Sequence, residues 1–360
     1  MSNNMMTWLG SLKSHFSNTK QVTIVMGNEA ADLDSIVSAV TYAWFLKITD
    51  IDGKYFPLIN IPRADFKLRT EAVYLFTEAG VSIDNLLFSE DVDLDKLKAG
   101  SNLKLILVDH NKLAASQTGL ETVITGIIDH HADEEAYPPA TVTDIRPVGS
   151  CATIVAESFL KDQKDSIDSS LGSLLLGTIL LDTVNLDPEA GRVTDDDSKA
   201  AKAIIDIAGL DSKKLFDKLQ FEKFNVFSLG SYDLLRKDYK EWQMGSVKLG
   251  IGSVLLPARD WAAKDPDLIG ELDRYFKERK LDILLSMNSF RSSEFTRQLV
   301  VYVPDESLRT KIVAFLEGSD LGLEKLDINS LSECCIFYSQ KNLDISRKKL
   351  QPLLKEFFED

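Results

Sequence analysis

Short apolar runs alternate with longer amphipathic stretches through the first part of the chain, and this alternation limits the fold more than any other feature. The runs are Val22–Met26, Tyr55–Ile59, Leu103–Val108 and Thr125–Ile128, with helical patterns such as Ser35–Leu46 and Lys67–Glu78 between them. A strand-length apolar run followed by a segment of helical period reads as strand, loop, helix, and its repetition reads as a parallel sheet. Loops leaving the carboxyl ends of such strands converge on a crevice, so the residues just after each run are where a ligand binds. The expected class is α/β: an N-terminal parallel-sheet domain followed by a smaller α/β domain.

From Val193 the chain turns polar and helical (VTDDDSKAAKAIIDIAGLDSKKLFDKLQ), and strands and helices alternate again after Tyr232. This places a first domain at 1–207, a linker at 208–225 and a second domain at 226–360. In the second domain the strand candidates are Val247–Ile251, Leu281–Ser286, Gln298–Val303 and Glu333–Tyr338, with helices near Asp267–Arg279 and Asp305–Leu316. Two domains also suit 360 residues, more than one core usually serves.

The histidines carry the chemistry. Only His15, His110, His130 and His131 occur, and the last three follow an aspartate where an apolar run ends, in LKLILVDHN and ITGIIDHHAD. Charges at the edge of a core need partners, and metal ions are the obvious ones. Upstream, VTIVMGNEAADLDSIVSAV sets Asp32 and Asp34 two residues apart between a strand and a helix, where both carboxylates can face one side. Asp34 reads equally as the N-cap of the helix that starts at Ser35. A further carboxylate, Asp182, ends the apolar run of LLLGTILLDTVNLD.

Composition excludes several classes. The longest apolar runs, such as Leu174–Leu181, fall well short of the ~18–20 residues that span a bilayer, so no membrane partner is expected. The N-terminus lacks the pattern of a secretory signal, which points to the cytoplasm. Cys151, Cys334 and Cys335 form no CxxC pair, which disfavours a disulfide framework and a thiolate zinc site. A formal charge of −15 repels nucleic acid, while a smaller anion can bind where metals and local bases reverse the sign.

The ordered motifs GNEAADLDS, VDHN, IDHH and LLDT resemble those of the DHH phosphoesterase superfamily. The match is to its DHHA2 branch, which holds family II inorganic pyrophosphatases, fungal-type exopolyphosphatases and prune proteins. RKDYKEW (236–242) and ISRKKLQPLL (345–354) are similar to elements of that branch's C-terminal domain. The resemblance implies an active site in the cleft between the domains, with two or more divalent ions, Mg²⁺ or Mn²⁺, with Co²⁺ a further option. Asp32 binds one metal, Asp34 the second, Asp109 bridges both, and His130 and Asp182 complete the second site. Asn28 occupies a ligand place of the first. Asp109, His110 and His131 form the catalytic group, while Asp129, Asn111 and His110 orient ligands. His131, Lys240, Arg347 and Lys348 hold phosphate, with Lys349 and Arg146 as further clamps.

Family II pyrophosphatases carry a histidine where this chain has Asn28. An amide oxygen is a harder ligand than imidazole, which shifts preference toward Mg²⁺. Asn28 is the feature of the exopolyphosphatase and prune side, and the complete DHN and DHH motifs favour an active enzyme. The implied reaction is release of orthophosphate from the end of linear polyphosphate by a monomer. Pyrophosphate, tripolyphosphate or a nucleoside polyphosphate is the alternative substrate, and a prune-like binding protein the alternative class. The metals lower the pKa of a shared water, so water is the nucleophile and no covalent intermediate is needed.

Overall fold

The computed structural model describes residues 4–137, 140–291, 293–328 and 332–359. The chain divides into two compact units, Met1–Lys223 and Phe224–Asp360.

The first unit is built on a parallel six-stranded sheet: β1 (Val22–Met26), β2 (Tyr55–Ile59), β3 (Leu87–Phe88), β4 (Leu103–Val108), β5 (Ile124–Asp129) and β6 (Val142–Ile145). The order is β3-β2-β1-β4-β5-β6. β1 and β4 are buried along nearly their whole length, which is why they read as unbroken apolar runs rather than alternating ones. Its helices are α1 (Met5–Ser17), α2 (Leu33–Thr49), α3 (Arg63–Phe66), α4 (Thr70–Glu78), α5 (Leu94–Ala99), α6 (Cys151–Asp162), α7 (Ser169–Asp182), α8 (Asp195–Ala208) and α9 (Ser212–Phe224). α2 and α7 are buried on almost every face and pack against each other within the core.

The chain runs from β1 outward to β2 and from β4 outward the other way, so β1 and β4 flank the point where strand order reverses. Open parallel sheets bind ligands at that point. The register makes the consequence specific. Met26 pairs with Leu107 and Leu107 with Ile127, so Asn28, Asp109 and Asp129, each two residues further on, leave three neighbouring strands at one level.

The stretch expected as a linker, 208–225, is instead the end of α8 and the whole of α9, and Leu219 of α9 is fully buried in the first unit's core. The unit boundary falls at Lys223 and Phe224. Residues 208–223 therefore fold with the first domain, because Leu219 and its apolar neighbours have a core to enter.

The second unit carries a mixed sheet: β7 (Tyr239–Met244), β8 (Val247–Val254), β9 (Ile283–Arg291), β10 (Phe295–Tyr302), β11 (Leu323–Lys325) and β12 (Cys335–Gln340), in the order β11-β12-β10-β9-β8-β7. Only β8 and β9 pair in parallel among these described strands. Its helices are α10 (Ser231–Lys237), α11 (Ala258–Lys264), α12 (Leu268–Arg279), α13 (Glu306–Gly318) and α14 (Arg347–Glu359). No helix among the described residues is long and apolar enough to cross a membrane.

Candidate metal centre

Asn28 opens the loop after β1. Its backbone N–H donates to Ser35 Oγ at 2.7 Å, and its side-chain oxygen accepts from the N–H groups of Ala30 and Ala31 at 2.9 and 3.0 Å. Those two donors fix the amide orientation, because a flipped amide would set N–H against N–H. The Nδ2 group therefore faces Asp109, donating to its Oδ2 at 2.8 Å and to its carbonyl at 3.1 Å. With no ion present, the oxygen is engaged by the loop and the amide N–H₂ group donates to Asp109. Asn28 positions Asp109.

Asp109 follows β4 with φ 61°, a left-handed conformation that few residues other than glycine adopt and aspartate tolerates better than most. Its N–H donates to Ile128 of β5 at 2.9 Å, which holds the turn. Asp32, not Asp34, caps α2, accepting from Ser35 N at 3.1 Å. Asp34 lies inside the first turn, 3% exposed, and caps a different helix. It accepts from Cys151 N at 2.6 Å and Ala152 N at 2.8 Å, at the start of α6, where Ser150 supplies no side-chain cap. The positive end of α6 favours its charge.

His130 follows β5. Its Nδ1 lies 3.0 Å from the Val148 carbonyl, which only accepts, so Nδ1 carries a proton and Nε2 is the nitrogen that faces the Asp109 and Asp34 carboxylates. Nε2 stands 3.3 Å from Asp109 Oδ1 and 3.7 Å from Asp34 Oδ2. Asp129 is fully buried and accepts four hydrogen bonds: from His130 N, His131 N and His131 Nδ1 at Oδ1, and from Asn111 Nδ2 at Oδ2. Its lone pairs order the loop, and His131 is aimed by it from the more exposed side of the cluster.

The electrostatics fit a divalent cation. Burial first, and then the charge of Asp34, hold the Asp109 carboxyl well above the usual carboxylate range. Asp182 is raised well above that range by burial and then by Asp34 and Asp32. Asp34 is raised by burial, although His130 pulls it back. Burial alone would lower His130, but its hydrogen bond to Asp109 and the charge of Asp34 push it up to about 10. Asp182 Oδ2 is buried and accepts from no group among the described residues. Such an oxygen, among like charges, is what a bound cation relieves. Ligand atoms of Asp109, Asp129, His130 and His131 also lie within 4.8 Å of one another, a group that could hold a metal ion. Because Asp129 is already committed to four donors, Asp34, Asp109, Asp182 and His130, with Asp32 beside them, suit that task better.

One cavity of about 510 Å³ is lined by Asp32, Asp34, Asp109, His130, Asp182, Asn28 and His131, together with Ala30, Val148, Gly149 and Arg192. The five residues expected as the cage thus face a common space. His110 is not among the lining residues; its Nδ1 bonds the Val108 carbonyl at 2.9 Å. Arg146 is also absent from the lining and is ion-paired with Asp144, Glu157 and Asp196, which occupies the guanidinium expected to clamp phosphate. In the second unit, Arg347 donates to the Asp238 carbonyl at 2.9 Å, to Asp238 Oδ1 at 2.6 Å and to the Ile251 carbonyl at 3.4 Å. Ile251 pairs with Lys240, so Arg347 and Lys240 are brought together. Lys240, Lys348 and Lys349 are exposed.

Two residues escaped the sequence reading. Asp197 of α8, fully buried, accepts from Gly149 N at 2.8 Å, Thr153 Oγ1 at 2.5 Å, and Thr194 N and Oγ1 at 2.7 Å each. It thereby anchors the segment whose Val148 carbonyl sets the His130 tautomer. The spacing of Thr194 and Asp197 is readable as a capping box, but not as a clamp on a loop 48 residues earlier. Gly149 has no room for a side chain: a Cβ there would lie 2.6 Å from the Arg192 carbonyl and 2.8 Å from Asp197 Oδ2. Arg192, the second, lines the cavity itself.

A doubly wound sheet with an acid and imidazole cluster at its switch point, joined to a second α/β unit, defines a DHH-type protein. Residues 22–179 match the DHH family N-terminal domain and residues 217–357 the DHHA2 domain. The chain belongs to the DHH family with a DHHA2 domain. It is 34% identical to mouse "Exopolyphosphatase PRUNE1" over 98% of this chain and 79% of that protein. It is 27% identical to the "Manganese-dependent inorganic pyrophosphatase" of Methanocaldococcus jannaschii over 77% of this chain and 86% of that one. Its fold is shared with a solved Methanococcus jannaschii structure assigned to family II inorganic pyrophosphatases, at TM-score 0.52 and 24% identity, covering 94% of this chain and all of the other.

Proposed function

We propose that the chain is a divalent-metal-dependent exopolyphosphatase that hydrolyses the terminal phosphoanhydride bond of linear polyphosphate and releases orthophosphate. The observation that carries this reading is Oδ2 of Asp182, buried and unpartnered among the described residues, at the cavity that Asp34, Asp109 and His130 also line. Asp32, Asp34, Asp109, His130 and Asp182 would hold the ions, Mg²⁺ or Mn²⁺. When bound, the ions supply Lewis-acid activation of water and neutralise charge on phosphate oxygens.

The chain's own residues do the rest. Asn28 holds Asp109 in place through its amide, and the Val148 carbonyl holds the proton of His130 on Nδ1, away from the cavity. His131, aimed by Asp129, would donate from Nε2 to a phosphate oxygen as an imidazolium, with Nδ1–H held by Asp129. In the second unit, Lys240, Arg347, Lys348 and Lys349 are the proposed phosphate-binding residues. The protein acts as a cytoplasmic monomer without a nucleic-acid partner, a reading supported by its charge of −15.

The name of the mouse relative supports the longer substrate, and the manganese-dependent relative supports pyrophosphate as a second reading. Phosphate release measured on pyrophosphate, tripolyphosphate and long-chain polyphosphate, each with Mg²⁺ and with Mn²⁺, separates them. A higher kcat/KM on long chains is expected; a preference for pyrophosphate supports the second reading, and no release from any substrate overturns both.

A further inference from the structure

We propose that Arg192 is a phosphate-binding residue of the first unit, gripping the part of a phosphoanhydride chain that projects beyond the metal ligands. The inference rests on reading the cavity as a phosphoanhydride site and adds to it a contact that determines response to chain length.

Arg192 is the one arginine or lysine among the residues lining the cavity. In a chain with 56 acidic and 41 basic residues, carboxylate partners are plentiful, and Arg146 has three. The guanidinium of Arg192 has no hydrogen bond or ion pair among the described residues, although four aspartates share its cavity. Its five donors are therefore available to a ligand.

The backbone that carries this side chain is fixed. The Arg192 carbonyl packs against Gly149, at a point 2.6 Å from where a Cβ would stand. Two residues on, Thr194 N and Oγ1 are both bonded to buried Asp197. Arg192 thus starts from a rigid base shared with the segment that orients His130, while its side chain is exposed.

Depth decides which phosphate it meets. Asp34 and Asp109 form the floor at 3% and 2% exposure, and Arg192 stands at the rim. A terminal phosphate drawn to the floor leaves the following phosphates at rim height, where a planar guanidinium can take two oxygens of one group. A chain of three phosphates gains more from this contact than a chain of two.

The test compares the full-length wild type with Arg192→Ala and Arg192→Lys. Calorimetry in Mn²⁺ measures binding of imidodiphosphate and diimidotriphosphate, in which P–N–P links resist hydrolysis, alongside Mn²⁺ binding alone and steady-state kinetics on tripolyphosphate. Arg192→Ala is expected to weaken diimidotriphosphate about tenfold, the size of one lost charge-assisted contact, and imidodiphosphate less. Mn²⁺ affinity stays unchanged, and Arg192→Lys recovers part of the loss. Unchanged binding of both analogues, equal weakening of both, or a matching loss of Mn²⁺ affinity overturns the proposal. A wild type that binds the analogues but releases no phosphate contradicts the proposed function while leaving the Arg192 contact to stand or fall on the binding data.

Discussion

The Asn28 amide donates to Asp109 Oδ2 at 2.8 Å while its own oxygen is held by the N–H groups of Ala30 and Ala31. Asn28, where the resemblance expects a ligand place, is in this structure a brace for Asp109. In this arrangement its amide orients the Asp109 carboxylate.

Replacing Asn28 with histidine removes the brace and offers an imidazole nitrogen in its place. The expected outcome is a higher affinity for Mn²⁺ and Co²⁺ relative to Mg²⁺, read by metal titration. Asn28→Ala, which removes the brace and offers nothing, is expected to weaken all three ions by roughly tenfold, in line with other ligand-orienting residues. Identical titrations for wild type and both variants would show that Asn28 does neither.

Asp197 joins α8 to the His130 loop through one buried carboxylate. Asp197→Ala leaves the Gly149 N–H and the Thr153 and Thr194 donors without their acceptor, and a loss of about 3 kcal/mol in denaturant unfolding is expected. Metal affinity falls with it, because the Val148 carbonyl no longer holds the His130 ring in place. A destabilised variant with wild-type Mn²⁺ affinity would confine Asp197 to a structural role.

The contribution of His130 to the pH dependence of the metal-free protein has a fixed sign. His130 is raised from 6.5 to about 10, so between those values the folded state keeps a proton that the unfolded state has lost. Stability supplied by this group is complete below pH 6.5 and is lost as pH rises through about 10. Asp34, Asp109 and Asp182, raised above 3.8, act in the same direction as pH rises. Melting temperature in EDTA should therefore fall across this window more steeply than in Mn²⁺, because a cation replaces the proton at His130 Nε2. Parallel curves with and without Mn²⁺ would contradict the assignment of His130 as a ligand.

In the second unit, Arg347→Ala is expected to raise KM for polyphosphate about tenfold or more, with little change in metal titration. Because Arg347 also bonds Asp238 and Ile251, a modest fall in melting temperature accompanies it. Collapse of metal affinity would place Arg347 with the metals instead of the phosphates.

The parts of the fold legible in sequence are those where burial and chemistry coincide. β1, β2, β4 and β5 read directly, since strands covered on both faces leave unbroken apolar runs. β7, with YKEWQM, has one buried residue and no apolar run, and β6 has none, so neither edge strand announces itself. Asp109 and the histidines after Asp129 were legible because an acid closing an apolar strand needs a partner, whereas Asp182 closes an apolar helix, α7. The Asn28 brace was not, since its direction depends on the N–H groups of two following residues. Asp34 looked like the cap of its own helix, and only the tertiary approach of Cys151 and Ala152 shows that it caps α6. Asp197 and Arg192 reach the site by chain folding alone: the capping box of Asp197 marks a helix start, not a place at the cavity, and nothing local marks Arg192.

Asp109 is the most direct probe of metal-assisted cleavage at a chain end, because it is 2% exposed and nearly isosteric with asparagine. The decisive measurement is orthophosphate release from long-chain polyphosphate with Mg²⁺ or Mn²⁺. Product lengths are resolved by electrophoresis, for the wild type and for an Asp109→Asn variant with unchanged circular dichroism. The expected result is stepwise release of orthophosphate by the wild type, abolished both by EDTA and by Asp109→Asn. Release that survives the substitution, or internal cleavage into mid-length fragments, would contradict it.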